Sequence, residues 1–404
     1  VLILKNIVVV GAGQAGVACV AKLRALGFEG AITLIGEEPV PPYQRPPLSK
    51  AYLLGEMPLE RLLLRPESYY REAGVDLRLG QPVQGIDTAT RQVILGKGTI
   101  PYDALVLTTG SVPRRLPATI GGDLGGVHVV RGLADVDAMA PGKQPGERAL
   151  IVGGGYIGLE AAAVARKRGM DVTLIEMAPR ILQRVAAPET SDYFRALHRA
   201  HGVDIREGVG LTRLLGDGQV IGAVLSDGSE LACDLVIAGI GIVPATALAE
   251  AAGVEIENGI KTDEQGRTSD PLIWAAGDCA SFPYRGGRIR LESVQNAIDQ
   301  AETVAQNILG AGMPYQPQPW FWSDQYDVKL QIAGLNTGYD RVVVRDSGAV
   351  RSHWYYAGDR LLAVDAMNDP RGYMIGKRLI AAGASPDPAV VGDPGKDLKS
   401  LLQG

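Results

Sequence analysis

At 404 residues the chain is too long for one typical hydrophobic core, so two or three domains are expected. Its 46% apolar and 21% charged residues exclude a disordered chain, and a net charge of −5 supplies no basic field for nucleic acid or an anionic membrane surface. No apolar run reaches the roughly 18–20 residues of a membrane span, Val1–Leu4 is too short for the apolar core of a signal peptide, and 5% aromatics are too few for base stacking.

The first element sets the pattern. Asn6-Ile7-Val8-Val9-Val10 reads as a strand buried on both faces and runs into Gly11, Gly13 and Gly16, then into a helical stretch from Val17 to Leu26. Glycines at this spacing allow a tight turn, close approach of the backbone to a pyrophosphate, and packing of helix on strand, while the helix start holds the phosphate charge. An ordinary glycine-rich turn is the alternative. Against it, a second strand, Ala31–Ile35, leads to Glu37, where an acidic side chain is wanted for the adenosine ribose hydroxyls.

Prolines at 39, 41, 42, 46 and 47 exclude a strand, or a helix start before Ser49, and predict a stiff loop carrying Arg45 and Lys50. That loop is either solvated or, from its place after the second strand, turned to a cofactor. Another buried strand, Tyr102 to Leu107, ends in Gly110-Ser111-Val112-Pro113, where the chain leaves the first nucleotide domain. The pattern then repeats. Ala149–Val152 leads into Gly153, Gly155 and Gly158, a helix follows from Leu159 to Lys167, and a strand Val172–Ile175 closes on Glu176. Leu235–Ala238 and Gly241-Ile242-Val243-Pro244 echo the earlier exit. Two copies in one order imply two nucleotide cofactors.

Further on, Ile273-Trp274-Ala275-Ala276 delivers Gly277-Asp278, a carboxylate at a strand end that needs donors such as the hydroxyls of a flavin side chain. Glu292–Leu309 reads as a helix, and the prolines at 314, 317 and 319 as a linker. Beyond it, aromatics concentrate, and alternation at Lys329–Ile332, Arg341–Val344, Arg351–Tyr356 and Arg360–Val364 predicts an antiparallel sheet, covered by a helix near Tyr373–Ala382.

With these motifs in hand, the chain resembles the two-nucleotide flavoproteins of the glutathione reductase superfamily, and within them the NADH-dependent ferredoxin reductases of the putidaredoxin reductase type. Pro319-Trp320-Phe321-Trp322-Ser323-Asp324-Gln325 is the stretch most specific to that branch. The resemblance implies an α/β fold: two Rossmann-like dinucleotide-binding domains, one inserted in the other, plus a C-terminal α+β domain. FAD would take 1–112 and 245–318, NADH 113–244, and the interface domain 319–404.

It further implies FAD on Gly11, Gly13, Ala15, Gly16, Glu37, Arg45, Lys50, Val83, Arg131, Asp278 and Val294, with Trp320 or Trp322 near the ring unless these are ordinary core aromatics. NADH would take Gly153, Gly155, Tyr156, Ile157, Gly158, Glu160 and Glu176, and Lys50 and Glu160 would form the charged pair beside the flavin. A cation near the nitrogen that receives the hydride stabilises the reduced, anionic ring, so Lys50 would tune the cofactor.

Disulfide reductases of this superfamily need a redox cysteine pair and a C-terminal His–Glu base. Cys19, Cys233 and Cys279 lie far apart with no C-x-x-C or metal spacing, and His353, the last histidine, has no Glu near it. The cysteines are therefore expected in the core, the compartment a reducing cytoplasm, and no metal site is expected. Without a thiol relay, reduced flavin would pass electrons straight out, and the resemblance implies that they go to a [2Fe–2S] ferredoxin that serves a cytochrome P450 or other oxygenase. Its cluster is brought by that partner, since this chain has no four-cysteine set.

Glu176 opposes the 2′-phosphate of NADPH: at ~4 Å the repulsion is ~1 kcal/mol per charge pair in water and ~4 at a protein surface. Arg180 and Arg184 downstream are either surface charges or pyrophosphate contacts. Ferredoxins of this type are acidic, so Arg65, Arg288, Arg290, Lys377 and Arg378 are candidate docking charges. Rubredoxin reductase, an NADH oxidase-like flavoprotein, and a redox-responsive binding protein are the competing readings.

Overall fold

The computed structural model describes residues 4–139, 145–348 and 350–402; Val1–Ile3 of the opening stretch lie outside them. The chain divides into two compact units, residues 1–45, 58–112 and 242–317 in one, and 46–57, 113–241 and 318–404 in the other.

The first unit is organised on a parallel sheet in the order Ile273–Ala275, Ala104–Leu107, Asn6–Val10, Ala31–Ile35, Val75–Arg78. Its central strands are apolar because both faces are covered. Ile7, Val9, Ile32, Leu34 and Val106 pack toward Leu23 and Val304 of the helices Gln14–Ala25 and Val294–Ile308, while Val8, Val10, Leu105 and Leu107 pack toward Ile260 and Ile273. Each such side chain stabilises by roughly 1.5–3 kcal/mol. An antiparallel meander, Val83–Asp87, Gln92–Leu95 and Thr99–Pro101, returns the chain to the central sheet.

The second unit repeats that plan. Its parallel sheet runs Asp204–Glu207, Asp171–Glu176, Arg148–Val152, Leu235–Ala238, Val127–His128, and a meander, Leu211–Asp217, Gln219–Leu225 and Glu230–Ala232, occupies the same place in the order. This unit also holds an antiparallel sheet ordered Trp320–Gln325, Val328–Gly334, Arg360–Met367, Arg351–Ala357, Arg341–Asp346. Helix Pro370–Ala382 packs on it through Tyr373, Ile375 and Leu379. That helix opens on Pro370, whose missing N–H costs nothing in a first turn. It is capped by Asp369, which accepts from the Gly372 N–H at 2.7 Å, and it ends at Gly383 in the left-handed region.

One expectation is corrected: the proline loop is not free of helix before Ser49. Pro46–Ser49 forms a 3-10 turn followed by a short helix, Ala51–Leu54, because the fixed φ of proline suits the start of such a turn.

Candidate functional site

Each glycine loop is built by the same local rule. Gly11 (φ +115°) and Gly153 (φ +107°) occupy backbone space that favours glycine, and a Cβ on either would overlap the carbonyl of Thr108 or of Gly239. A Cβ on Gly16 would overlap the Gly11 carbonyl, and one on Gly158 the Gly153 carbonyl. The middle glycines differ. A Cβ on Gly13 or Gly155 would find no heavy atom within 4 Å, and no side chain caps the helix that either residue begins. Internal packing accounts for the first and third glycines but not the second. There the open space and the uncapped N–H groups suit a dinucleotide pyrophosphate, so the residues present fit the expected group twice.

The acidic strand ends are held differently. Glu37 is exposed. Glu176 accepts from the Gly154 N–H through Oε2 and from the Ala178 N–H through Oε1, both at 2.7 Å, which pins its carboxylate on the second glycine loop. A carboxylate has about four lone-pair sites, so acceptor capacity remains for ribose hydroxyls. Arg180 donates to Ser191 Oγ at 2.5 Å, whereas Arg184 and Arg114 flank Gly241. Ile157 is exposed at the helix start, and the Tyr156 ring packs 5.1 Å from Phe321 with its hydroxyl buried and unpartnered. Burial pushes that phenol well above its ordinary pKa.

Of the residues expected on FAD, Gly11, Gly13, Ala15, Gly16, Glu37, Arg45, Val83, Asp278 and Val294 belong to the first unit, and Lys50, Arg131 and Trp322 to the second. Arg45 is not a solvated loop charge: it donates to Glu38 at 2.6 Å and to Tyr43 Oη at 3.2 Å. Asp278 accepts from Ser111 Oγ at 2.9 Å, and Gln300 accepts from the Gly277 N–H at 2.9 Å. Val294 opens a helix capped by Ser293, and Val83 opens the meander.

Lys50 and Glu160 meet. Lys50 Nζ lies 2.7 Å from Glu160 Oε2, and Glu160 is only 2% exposed. A lone buried carboxylate would be costly. Here Ser49 Oγ donates to Oε2 at 2.6 Å and Ser323 Oγ to Oε1 at 2.7 Å, so three donors converge on it. Ser323 and Gln325, which sequence reasoning missed, share a strand face with Phe321, while Trp320 and Trp322 turn the other way, their rings 5.5 Å apart. In Trp320–Gln325 the polar run Ser323-Asp324-Gln325 follows three aromatics without alternating, so no periodicity singled out the two inward residues.

Two docking candidates are turned inward. Arg288 donates to the Thr262 and Ser281 carbonyls, and Arg290 to the Asp278 carbonyl and Glu292, leaving their side chains 20% and 12% exposed. Arg65 and Arg378 are exposed, and Lys377 Nζ lies 5.0 Å over the Trp320 ring. All three cysteines are buried and free, and burial pushes Cys19 up to about 12 and Cys233 up to about 11, far from a reactive thiolate. Among the described residues no cluster of His, Cys, Asp and Glu could hold a metal ion, and no helix is long and apolar enough to cross a membrane.

Two dinucleotide loops, one on each parallel sheet, together with cysteines that cannot form a redox pair, define a two-nucleotide oxidoreductase without a thiol relay. The chain matches the pyridine nucleotide-disulphide oxidoreductase family over residues 5–301 and the reductase C-terminal family over 320–402. It is 45% identical to a ferredoxin–NAD(P)(+) reductase of Sphingomonas sp (98% of this chain, 97% of that one) and 44% identical to putidaredoxin reductase of Pseudomonas putida (98% and 96%). It is also similar to the crystal structure of the covalent putidaredoxin reductase–putidaredoxin complex, with a TM-score of 0.95 and 42% identity over 99% of this chain and 98% of that one. The chain belongs to the pyridine nucleotide-disulphide oxidoreductases and, within them, to the ferredoxin reductases of putidaredoxin reductase type.

Proposed function

We propose that this chain is an FAD-dependent NADH:ferredoxin reductase that passes electrons singly to a [2Fe–2S] ferredoxin serving a cytochrome P450 or another oxygenase. The observation that carries the reading is the paired glycine loop, each with space and uncapped N–H groups at its middle glycine, in a chain whose cysteines are all buried and free. Bound FAD supplies the conversion from a two-electron donor to a one-electron acceptor.

The chain's own residues bind and orient. Residues 1–112 and 245–318 form the FAD-binding domain, with Gly13 and the following helix start on the pyrophosphate and Glu37 on the ribose. Residues 113–244 bind NADH through Gly155 and Glu176, and 319–404 form the interface domain. Glu176 brings a fixed negative charge to the place a 2′-phosphate would need, which favours NADH. Lys50, anchored by Glu160, presents the cation that stabilises the reduced cofactor. Arg65, Lys377 and Arg378 are the docking charges best supported, since Arg288 and Arg290 are committed to internal carbonyls. Three free thiols support a reducing cytoplasm.

An acceptor panel tests the reading. NADH-dependent reduction of a [2Fe–2S] ferredoxin at rates far above those with rubredoxin or oxygen is expected; preference for rubredoxin, or for oxygen alone, would replace it with one of the competing activities.

A further inference from the structure

Glu160 is the end of a longer chain of hydrogen bonds that the charged pair alone does not require. Gln325 Nε2 lies 3.2 Å from Ser323 Oγ, His198 Nε2 lies 2.8 Å from Gln325 Oε1, and Tyr326 Oη lies 3.4 Å from His198 Nδ1. Ser323, Gln325 and His198 are each 0% exposed, and Tyr326 stacks on the exposed His201 with ring centroids 3.6 Å apart. The members come from three elements, helix Tyr156–Lys167, strand Trp320–Gln325 with its following turn, and helix Pro188–Ala200 with its C-terminal turn.

Chemistry fixes the direction of every bond. The Glu160 carboxylate only accepts, so the single hydrogen of Ser323 goes to it. The contact between Ser323 and Gln325 must then use an amide hydrogen of Gln325, which turns the Gln325 carbonyl toward His198. His198 must therefore carry its hydrogen on Nε2 and leave Nδ1 as an acceptor, open to the Tyr326 hydroxyl. Burial holds His198 down to about 4, in keeping with a neutral ring at ordinary pH.

We infer that Tyr326, His198, Gln325 and Ser323 form a one-directional donor chain ending on Glu160, and that His198 and Gln325 are positioning residues which hold the Glu160 carboxylate, and through it Lys50, in the geometry that cofactor reduction by NADH uses. The inference rests on the reading of Lys50 and Glu160 given above. A carboxylate held by three donors on both oxygens cannot swing, and the Lys50 ammonium bound to it is fixed in turn. Loss of one neutral link is worth about three- to tenfold.

Gln325→Glu is the sharpest perturbation. It keeps the size of the side chain but replaces the amide donor with a second acceptor, which draws the Ser323 hydrogen away from Glu160. Gln325→Leu only removes the link, and should the buried charge of Gln325→Glu prevent folding, Gln325→Leu and His198→Phe carry the test. His198→Gln retains a donor and should rescue what His198→Phe loses.

Two readouts decide. First, 15N–1H spectra of the histidine rings in the holoenzyme should show His198 neutral with its hydrogen on Nε2, a signature independent of turnover; an Nδ1–H tautomer or an imidazolium at pH 7 would overturn the chain. Second, the rate constant for flavin bleaching by saturating NADH should fall about three- to tenfold in Gln325→Leu and His198→Phe and further in Gln325→Glu, with NADH affinity and FAD content unchanged. Those losses should disappear in a Glu160→Gln background, since residues that act through Glu160 have nothing left to act on. If Glu160→Gln slows bleaching but the Gln325 and His198 variants do not, or if their effects add to it in full, the chain is refuted while the charged pair stands. If Glu160→Gln itself bleaches at the parent rate, the reading of the pair fails instead.

Discussion

The two glycine classes in the NADH loop make opposite predictions for one added methyl. Gly155 has φ −80° and ψ 179°, backbone that alanine adopts freely, and nothing lies within 4 Å of its missing Cβ. Gly155→Ala should therefore fold normally, with any change of ~0.4–1 kcal/mol in the stabilising direction through the unfolded chain. Its methyl would instead occupy the space assigned to the pyrophosphate and displace it from the helix N–H groups. Losing one or two charge-assisted bonds, at ~1.5–3 kcal/mol each, should weaken NADH binding about 10- to 150-fold or more. Gly158→Ala should do the reverse: its Cβ overlaps the Gly153 carbonyl, overpacking costs ~1–3 kcal/mol, and the melting temperature should fall at roughly 2–4 °C per kcal/mol. Thermal melts of the FAD-loaded variants without NADH, and NADH titrations of flavin reduction, separate the two. A Gly155→Ala protein that melts early yet binds NADH normally would refute the assignment of that space.

Glu176→Ser should lower NADH selectivity about tenfold or more by raising kcat/KM with NADPH; an unchanged ratio would show that the pinned carboxylate does not face the 2′ position. Charge reversal at Arg65 and Arg378 should raise the KM for ferredoxin and flatten its salt dependence while NADH-to-ferricyanide turnover stays put, and Arg288→Glu should instead cost stability because it breaks two carbonyl contacts. Acid stability has a definite sign. Burial holds His198 and His353 down to about 4 from 6.5, so on acidification the unfolded chain takes up their protons first and stability falls between about pH 6.5 and 4. Asp365, pushed up to about 6 by burial, is protonated first in the folded protein and opposes this between 3.8 and about 6. Two histidines outweigh one carboxyl, so urea midpoints should drop from pH 7 to 4.5, and His353→Gln should remove up to ~1.4 kcal/mol per pH unit from that slope.

The parts of the site that obey local rules were legible in the sequence. Gly11, Gly13 and Gly16 announce a strand, a turn and a helix start within eleven residues, and the second loop repeats them, so both strand–loop–helix units could be placed without a structure. What escaped was set by partners distant in sequence. Ser323 and Gln325 looked incidental beside Trp320 and Trp322, yet they reach residues 163 and 127 positions away in Glu160 and His198. Arg288 and Arg290 read as exposed docking charge, and Arg45 and Arg180 as open between solvent and a cofactor, because a sequence does not show which acceptors, Glu38, Ser191 or a backbone carbonyl, will meet a guanidinium. His353, Tyr355 and Asp365 sit on neighbouring hairpin strands that alternation announced, but Thr190, which joins them in a buried cluster, comes from a helix 163 to 175 positions earlier.

Two-electron input should leave this chain as single electrons to an iron–sulfur partner. Anaerobic double-mixing stopped flow tests it most directly: the protein is mixed first with one equivalent of NADH, then with a panel of [2Fe–2S] ferredoxins and a rubredoxin. Rapid bleaching of the flavin should be followed by reduction of two equivalents of one ferredoxin in successive one-electron phases. Rapid bleaching with no ferredoxin reduced, or slow bleaching that ends in a long-lived charge-transfer band, would contradict it.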